Sequence, residues 1–347
     1  MHASEIITHR GEPRHQRGVA VVTGGSAGLG RATVRELADR GWDVAILARG
    51  IEGVNGAVDD VLDRGRRGLG IPTDVSDRQA VEAATDRIEN ELGSIELWVN
   101  DAMVGVFGEF VHTDPEDFER ATAVNYLGFV NGTRAALRVM MARDRGHIIQ
   151  VGSALAHRGI PLQAAYCGAK HAIRGFTDTL TTELLHNHSS VRLSEVDMPA
   201  LNTIQFNWVK SRLPHHPKPV PPIYQPEVGA RAIADVADHP RRRTWVGIPT
   251  VVTVVGNRTA AWFADWYLAK TGYSGQQAPG KTQPMLPTNL YSPVAGDHGA
   301  HGIFDDEAYS HSIQSWADSH RNVLALGGVV LTAALVFLSS SSKRRKG

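Results

Sequence analysis

At 347 residues, 42% of them apolar, the chain is long enough for one large packed α/β domain with an extension, or for two small domains. Lys+Arg and Asp+Glu number 36 each, and no like-charge block exceeds the short "HPRRR" and "KRRK" clusters, which gives a nucleic-acid partner no footing. The single cysteine excludes an internal disulfide and fits a reducing compartment.

Residues 1–16, "MHASEIITHRGEPRHQ", carry no long apolar run, so they cannot act as a secretory signal and are expected to form a flexible N-terminal tail in the cytoplasm. From Val19 onward, "VAVV", "DVAIL", "LGIP", "IELWV", "HIIQV" and "VRLSEV" are strand candidates alternating with helical patterns. This alternation predicts a parallel sheet covered by helices on both faces. "GRATVRELADRG" places Val34, Leu37 and Ala38 at helical spacing and stops at Gly41, and "SDRQAVEAATDRIENELG" runs from an expected N-cap at Ser76 to Gly93. After Thr203 the pattern weakens. "SRLPHHPKPVPPIYQPEV" holds six prolines in eighteen residues and reads as a loop or polyproline stretch, of a length that usually serves function. A helix resumes at "PEVGARAIADVADH". Another, over 257–270, carries Trp262, Phe263, Trp266 and Tyr267, a pattern that suits core or dimer interface more than a membrane-facing or substrate-lining surface. From 271 to about 301 the composition predicts an extended arm, followed by a short polar helix. No charge lies between Arg321 and Lys343, a gap of 21 residues. As a helix rising ~1.5 Å per residue the gap would span about 30 Å, the hydrocarbon thickness of a bilayer, so 321–347 is expected to be a membrane anchor with a basic tail. The "KRRK" cluster conflicts with a cytoplasmic catalytic domain under the positive-inside rule, which leaves open whether this helix spans or lies on the membrane.

"TGGSAGLGRAT", Thr23 to Thr33, follows the first strand and opens the first helix. Its glycines allow a tight turn and close approach to a pyrophosphate, whose charge the free N–H groups and the helix dipole stabilise. The second strand ends in Ala48 and Arg49, where an NAD site usually places Asp or Glu for the ribose 2′-hydroxyl. A guanidinium suits a 2′-phosphate, which favours NADP(H) over NAD(H). On a helix, Tyr166 and Lys170 share a face, whereas Cys167 is rotated ~100° from the tyrosine. An ammonium near a phenol stabilises phenolate, so the two form an acid/base pair by residue type. Ser153 ends a strand thirteen residues earlier, and Asn125 lies in the preceding helical region. Cys167 could pair with His171 as a nucleophile, but no third group orients the histidine, and a packed thiol is the simpler reading. "DHGAHG", Asp297 to Gly302, offers ligand-like residues without a further partner. His186, His188, His215 and His216 read as solvated surface residues. No metal site is expected.

In these features, between about Gly18 and Gly247, the chain resembles the short-chain dehydrogenase/reductase family. Its T-G-x-x-x-G-x-G is met by Thr23, Gly24, Gly28 and Gly30; its adenine-contacting Asp by Asp74; its Asn-Asn-Ala-Gly turn by Asn100 to Met103; and its Pro and Thr after the sixth strand by Pro199 and Thr203. The resemblance implies a Rossmann-type doubly wound parallel sheet, expected over 17–255, and a homo-oligomer; residues 256–320, a helix and an extended arm by their composition, are expected to form a C-terminal extension. It implies catalysis by Asn125, Ser153, Tyr166 and Lys170. The implied cofactor contacts come from Thr23, Gly24, Ser26, Gly28, Leu29 and Gly30 in the glycine turn, from Arg49, Asp74, Val75, Asn100 and Ala102 at the following strand ends, and from Tyr166, Lys170, Pro199 and Thr203. By the same resemblance Tyr166 exchanges a proton with the substrate oxygen and Ser153 hydrogen-bonds that oxygen. Lys170 lowers the tyrosine pKa and holds the nicotinamide ribose, while Asn125 supports a water relay. Asp101, Met103 and Ala200 depart from the family's Asn, Gly and Gly, so the pocket is its own. The expected activity is NADP(H)-linked interconversion of a carbonyl and an alcohol on a lipophilic substrate. An NAD-linked dehydrogenase and a non-catalytic cofactor-binding scaffold at a membrane are the alternatives, and the complete Asn, Ser, Tyr and Lys set argues against the second.

Overall fold

The computed structural model describes residues 17–282 and 287–320. The expected N-terminal tail, 1–16, and the expected membrane anchor, 321–347, lie outside the described residues. Among the described residues no helix is long and apolar enough to cross a membrane.

Seven parallel strands form the main sheet: β1 Val19–Thr23, β2 Asp43–Ala48, β3 Gly68–Pro72, β4 Ile95–Asn100, β5 His147–Ser153, β6 Arg192–Met198 and β7 Arg243–Trp245, in the order β7-β6-β5-β4-β1-β2-β3. This is the doubly wound Rossmann arrangement. Every residue of β1, β2 and β5 is buried, as expected of parallel strands covered on both faces. Alternate residues feed opposite layers. Val22, Ile46 and Ile149 pack with helices α1 (Gly28–Asp39), α2 (Ile51–Asp63) and α7 (Pro226–Asp238), whereas Val21, Leu47, Trp98 and Ile148 pack with α3 (Arg78–Glu91), α4 (Pro115–Thr122), α5 (Gly128–Met141) and α6 (Ala164–His186). Chain order reverses between β1 and β4, so the carboxyl ends of these strands border a crevice, the usual ligand position in such sheets.

All six expected strands are present, and β7 is additional. The N-cap of α3 is Asp77, whose side chain accepts from Gln79 N and Ala80 N; Ser76, the expected cap, instead donates to Asp74 Oδ1 at 2.7 Å. The proline-rich stretch is pinned rather than free: His215–Pro217 pairs with Gln277–Thr282, and Ile223–Tyr224 with Ala308–Tyr309. His216 is buried there, contrary to its expected solvation. The aromatic helix α8 starts at Gly247 and runs to Thr271, breaking at Ala260 (φ −145°, ψ 54°), so the expected boundary at residue 255 falls inside one element. A short helix α9, Ile313–Ser319, packs against α7 and α8.

Candidate active site

A cavity of about 1310 Å³ opens at the carboxyl ends of the strands, larger than the usual range of about 300–1,000 Å³ for a small-ligand pocket. The turn after β1 forms one wall. Gly24 has φ +74°, and a Cβ there would meet Ala102 Cα at 2.7 Å; a Cβ on Gly30 would run into the Gly24 carbonyl. Only glycine lets α1 begin this close to β4. Thr23 Oγ1 accepts from Asp101 N (3.0 Å) and Ala102 N (3.2 Å), fixing the strand ends across the crevice. Gly24, Ser26, Gly28 and Leu29 border the cavity, while Thr23 and Gly30 support the turn from behind.

At one end of the cavity stand Ser153, Tyr166 and Lys170. Ser153 closes β5, and its Oγ accepts from Leu155 N at 3.1 Å. Tyr166 sits on the first turns of α6 and is half-buried. Burial raises the tyrosine pKa above its ordinary value, with the Ser153 side chain opposing the rise. The Lys170 ammonium, expected to lower it, donates to Val151 O at 2.7 Å and lies 5.6 Å from the centre of the Tyr166 ring. The phenol is therefore protonated at neutral pH, the form that donates a proton.

Burial also lowers the pKa of Lys170, with Asp101, Asp197 and Glu195 opposing the fall. Asp101 shifts the other way, raised by burial against the pull of Lys170. The half-buried Asp101 on the cavity wall and the buried Lys170 thus attract each other, and Asp101 is the residue that stands in place of an asparagine. Behind β6, His157 Nε2 lies 2.8 Å from Asp197 Oδ2, and Arg174 Nη1 lies 2.9 Å from His157 Nδ1. Sequence reasoning missed this buried network. Its signal was the pair of acids, Glu195 and Asp197, in "SEVDM", a strand buried from Leu193 to Met198.

Two expected site residues point elsewhere. Asn125 lies in a π-helical turn, Ala123–Leu127; its Oδ1 accepts from Val104 N and its Nδ2 donates to Val104 O, both at 2.8 Å. Its side chain thus fixes the loop after β4. Asn100, expected at the cofactor, is fully buried, accepting from Trp98 Nε1 at 2.8 Å and donating to Gln150 Oε1 at 2.9 Å. Both hold the scaffold through backbone and core contacts.

The other end of the cavity is bordered by Arg49, Asp74 and Val75, with Ala102, Pro199 and Thr203 between. Burial pulls Asp74 upward, but hydrogen bonds from Ser76 and Arg120 outweigh it and hold the carboxyl below its ordinary range. Arg49 donates through Nη1 to Leu290 O (3.3 Å) and Tyr291 O (3.2 Å), and through Nη2 to Asn289 O. Burial lowers its pKa, Asp74 opposing and Arg120 reinforcing the shift. The cavity volume, the glycine turn and this arginine together fit a dinucleotide.

The remaining candidates resolve simply. Cys167 is buried, with its pKa raised by burial, and His171 Nδ1 lies 2.9 Å from the Cys167 carbonyl rather than at the thiol. Asp297 pairs with Arg31 and His301 with Glu227, and among the described residues no cluster of three or more His, Cys, Asp or Glu could hold a metal ion. Trp262 is 75% exposed, whereas Phe263 and Tyr267 border the cavity, so this helix is not core.

The pattern of the short chain dehydrogenase family matches residues 18–210. The uncharacterized oxidoreductase YxnA of Bacillus subtilis is 30% identical over 284 residues, 81% of this chain and 79% of that protein. An alcohol dehydrogenase from the archaeon Thermococcus sibiricus, solved with 5-hydroxy-NADP, superposes with a TM-score of 0.58 at 25% identity, covering 66% of this chain and 94% of its own. A short chain dehydrogenase/reductase from Burkholderia phymatum, solved with NAD, superposes at 0.65 with 20% identity, covering 72% and 95%, and shares the fold.

Proposed function

Because the chain belongs to the short-chain dehydrogenase family of oxidoreductases, we propose that it interconverts a carbonyl and an alcohol with NADP(H), using Tyr166 as general acid and base. The observation carrying this reading is the placement of the Tyr166 phenol on the cavity wall together with Ser153, with Lys170 one helical turn on. Hydride exchange is the chemistry that a bound nicotinamide dinucleotide supplies. Tyr166 Oη gives its proton to the carbonyl oxygen in reduction and takes it back in oxidation. The Ser153 hydroxyl holds that oxygen in place. Lys170 keeps a positive charge near the phenol and is held by the Val151 carbonyl. Gly24, Ser26, Gly28 and Leu29 would cradle the pyrophosphate, and Asp74 and Val75 the adenine. NADP(H) is preferred to NAD(H) because Arg49 stands where an acidic residue would repel a 2′-phosphate.

The substrate is lipophilic. Val220, Ile248, Val252, Phe263, Tyr267 and Tyr309 both border the cavity and are solvent-exposed, giving its mouth an apolar rim. The same rim suits an enzyme held at a membrane by residues 321–347, an attachment that fractionation of the full chain checks. The test of function is NADPH consumption over carbonyl compounds graded from small and polar to long-chain and polycyclic. Turnover rising toward the lipophilic members is expected; turnover confined to small polar carbonyls sinks the substrate class, and none with either dinucleotide sinks the activity.

A further inference from the structure

We propose that residues 289–302 form a strap that completes the phosphate-bearing end of the dinucleotide site and slows release of the cofactor; this rests on the NADP(H) reading above. The segment ties both banks of the cavity together. On one bank, Arg49 donates to the carbonyls of Asn289, Leu290 and Tyr291, Arg120 Nε donates to Leu290 O at 3.1 Å, Arg31 Nη1 meets Asp297 Oδ1 at 2.8 Å, and Gly28 N donates to Gly299 O at 3.0 Å. On the other, Asn289 N donates to Trp208 O at 3.0 Å, the His298 ring meets the Trp208 ring edge-on at 4.9 Å, and Gly302 N donates to Asn202 O at 3.2 Å. Between these anchors Asn289, Pro293, Val294, Gly296 and His298 face the cavity itself.

The segment is packed, not draped. Leu290 has no exposed surface and belongs to the apolar cluster that contains Val75 and Ala121, beside the expected adenine contact. Tyr291 Oη donates to Asp117 Oδ1 at 2.8 Å. Arg49's hydrogen-bond partners are neutral carbonyls, so its charge is oriented without being cancelled by a carboxylate in contact. Such a cage aims a guanidinium while leaving its charge for a phosphate. Arg31 differs, since Asp60 and Asp297 both pair with it, and it serves as the latch.

Asp297 is the only carboxylate within 289–302, and its side chain is 40% exposed, so it can be changed without opening the core. NADPH and NADH binding and dissociation are to be followed by dinucleotide fluorescence in the full chain and in Asp297→Asn, alongside amide hydrogen exchange of 289–302. The expected result is a several-fold rise in both Kd and dissociation rate for NADPH in the variant, a smaller change for NADH, and slower exchange across 289–302 when NADPH is added to the wild type. Wild type that binds NADPH while the variant's constants stay unchanged, or exchange in 289–302 that ignores NADPH, overturns the strap alone. Tighter binding in the variant would show that the segment competes with the dinucleotide and likewise overturns it. Wild type that binds neither dinucleotide overturns the strap together with the NADP(H) reading.

Discussion

The two ends of the cavity are built in different ways. The proton-transfer end uses Ser153, Tyr166 and Lys170, all within eighteen positions of one another, set on a strand end and one helical turn. The other end joins Arg31 and Arg49 to residues of 289–302, partners more than two hundred positions away. Short-range spacing fixes the chemistry, whereas long-range assembly fixes how the cofactor is enclosed. A sequence read on its own displays the first and conceals the second.

Removing the buried ammonium breaks the chemical end most severely. Lys170→Met keeps the length and burial of the side chain, and turnover is expected to fall about 10²–10⁴-fold, the range that general acid–base assistance supplies. Steady-state kinetics with NADPH check it, and a loss confined to KM would mean that Lys170 only binds.

The strap end is broken through its packing. Leu290→Ala empties a fully buried site and is expected to lower stability by about 2–5 kcal/mol, as for core leucines. Denaturant unfolding measures this, and a change near zero would mean that the segment is a surface appendage.

A smaller effect sharpens the electrostatics of the chemical end. Asp101→Asn restores the residue type usual in the family and removes a carboxylate that favours the charged form of Lys170. The ammonium, already lowered by burial, then loses its proton at lower pH. The alkaline limb of the pH–turnover profile is expected to move toward lower pH, and an unmoved or alkaline-shifted limb would contradict the coupling. Least affected is Cys167→Ala, which is expected to leave turnover per folded molecule within about twofold, since the thiol is buried and His171 bonds its carbonyl rather than its sulfur. A large loss there would reinstate it as a chemical group.

The six strands read from sequence were visible as short stretches rich in Val, Ile and Leu set between helical patterns. β7 is three residues long and begins in a run of arginines, so it shows neither alternation nor apolarity. Asp77 and Ser76 are both good capping residues, and only the backbone decides which one caps. The start of α8 was hidden by Gly247 and Pro249, which read as loop punctuation although proline is tolerated in a helix's first turn. The order Asn125, Ser153, Tyr166, Lys170 was legible, but the inward turn of Asn100 and Asn125 was not. Motif position gives a residue's place in the chain, and the sheet packing decides what its side chain touches.

The central claim, that a protonated phenol on the cavity wall drives carbonyl reduction, is tested most directly by Tyr166→Phe, assayed for NADPH binding by fluorescence and for carbonyl reduction by NADPH absorbance. The account predicts unchanged NADPH affinity with reduction almost abolished. Wild-type turnover in the variant would contradict it.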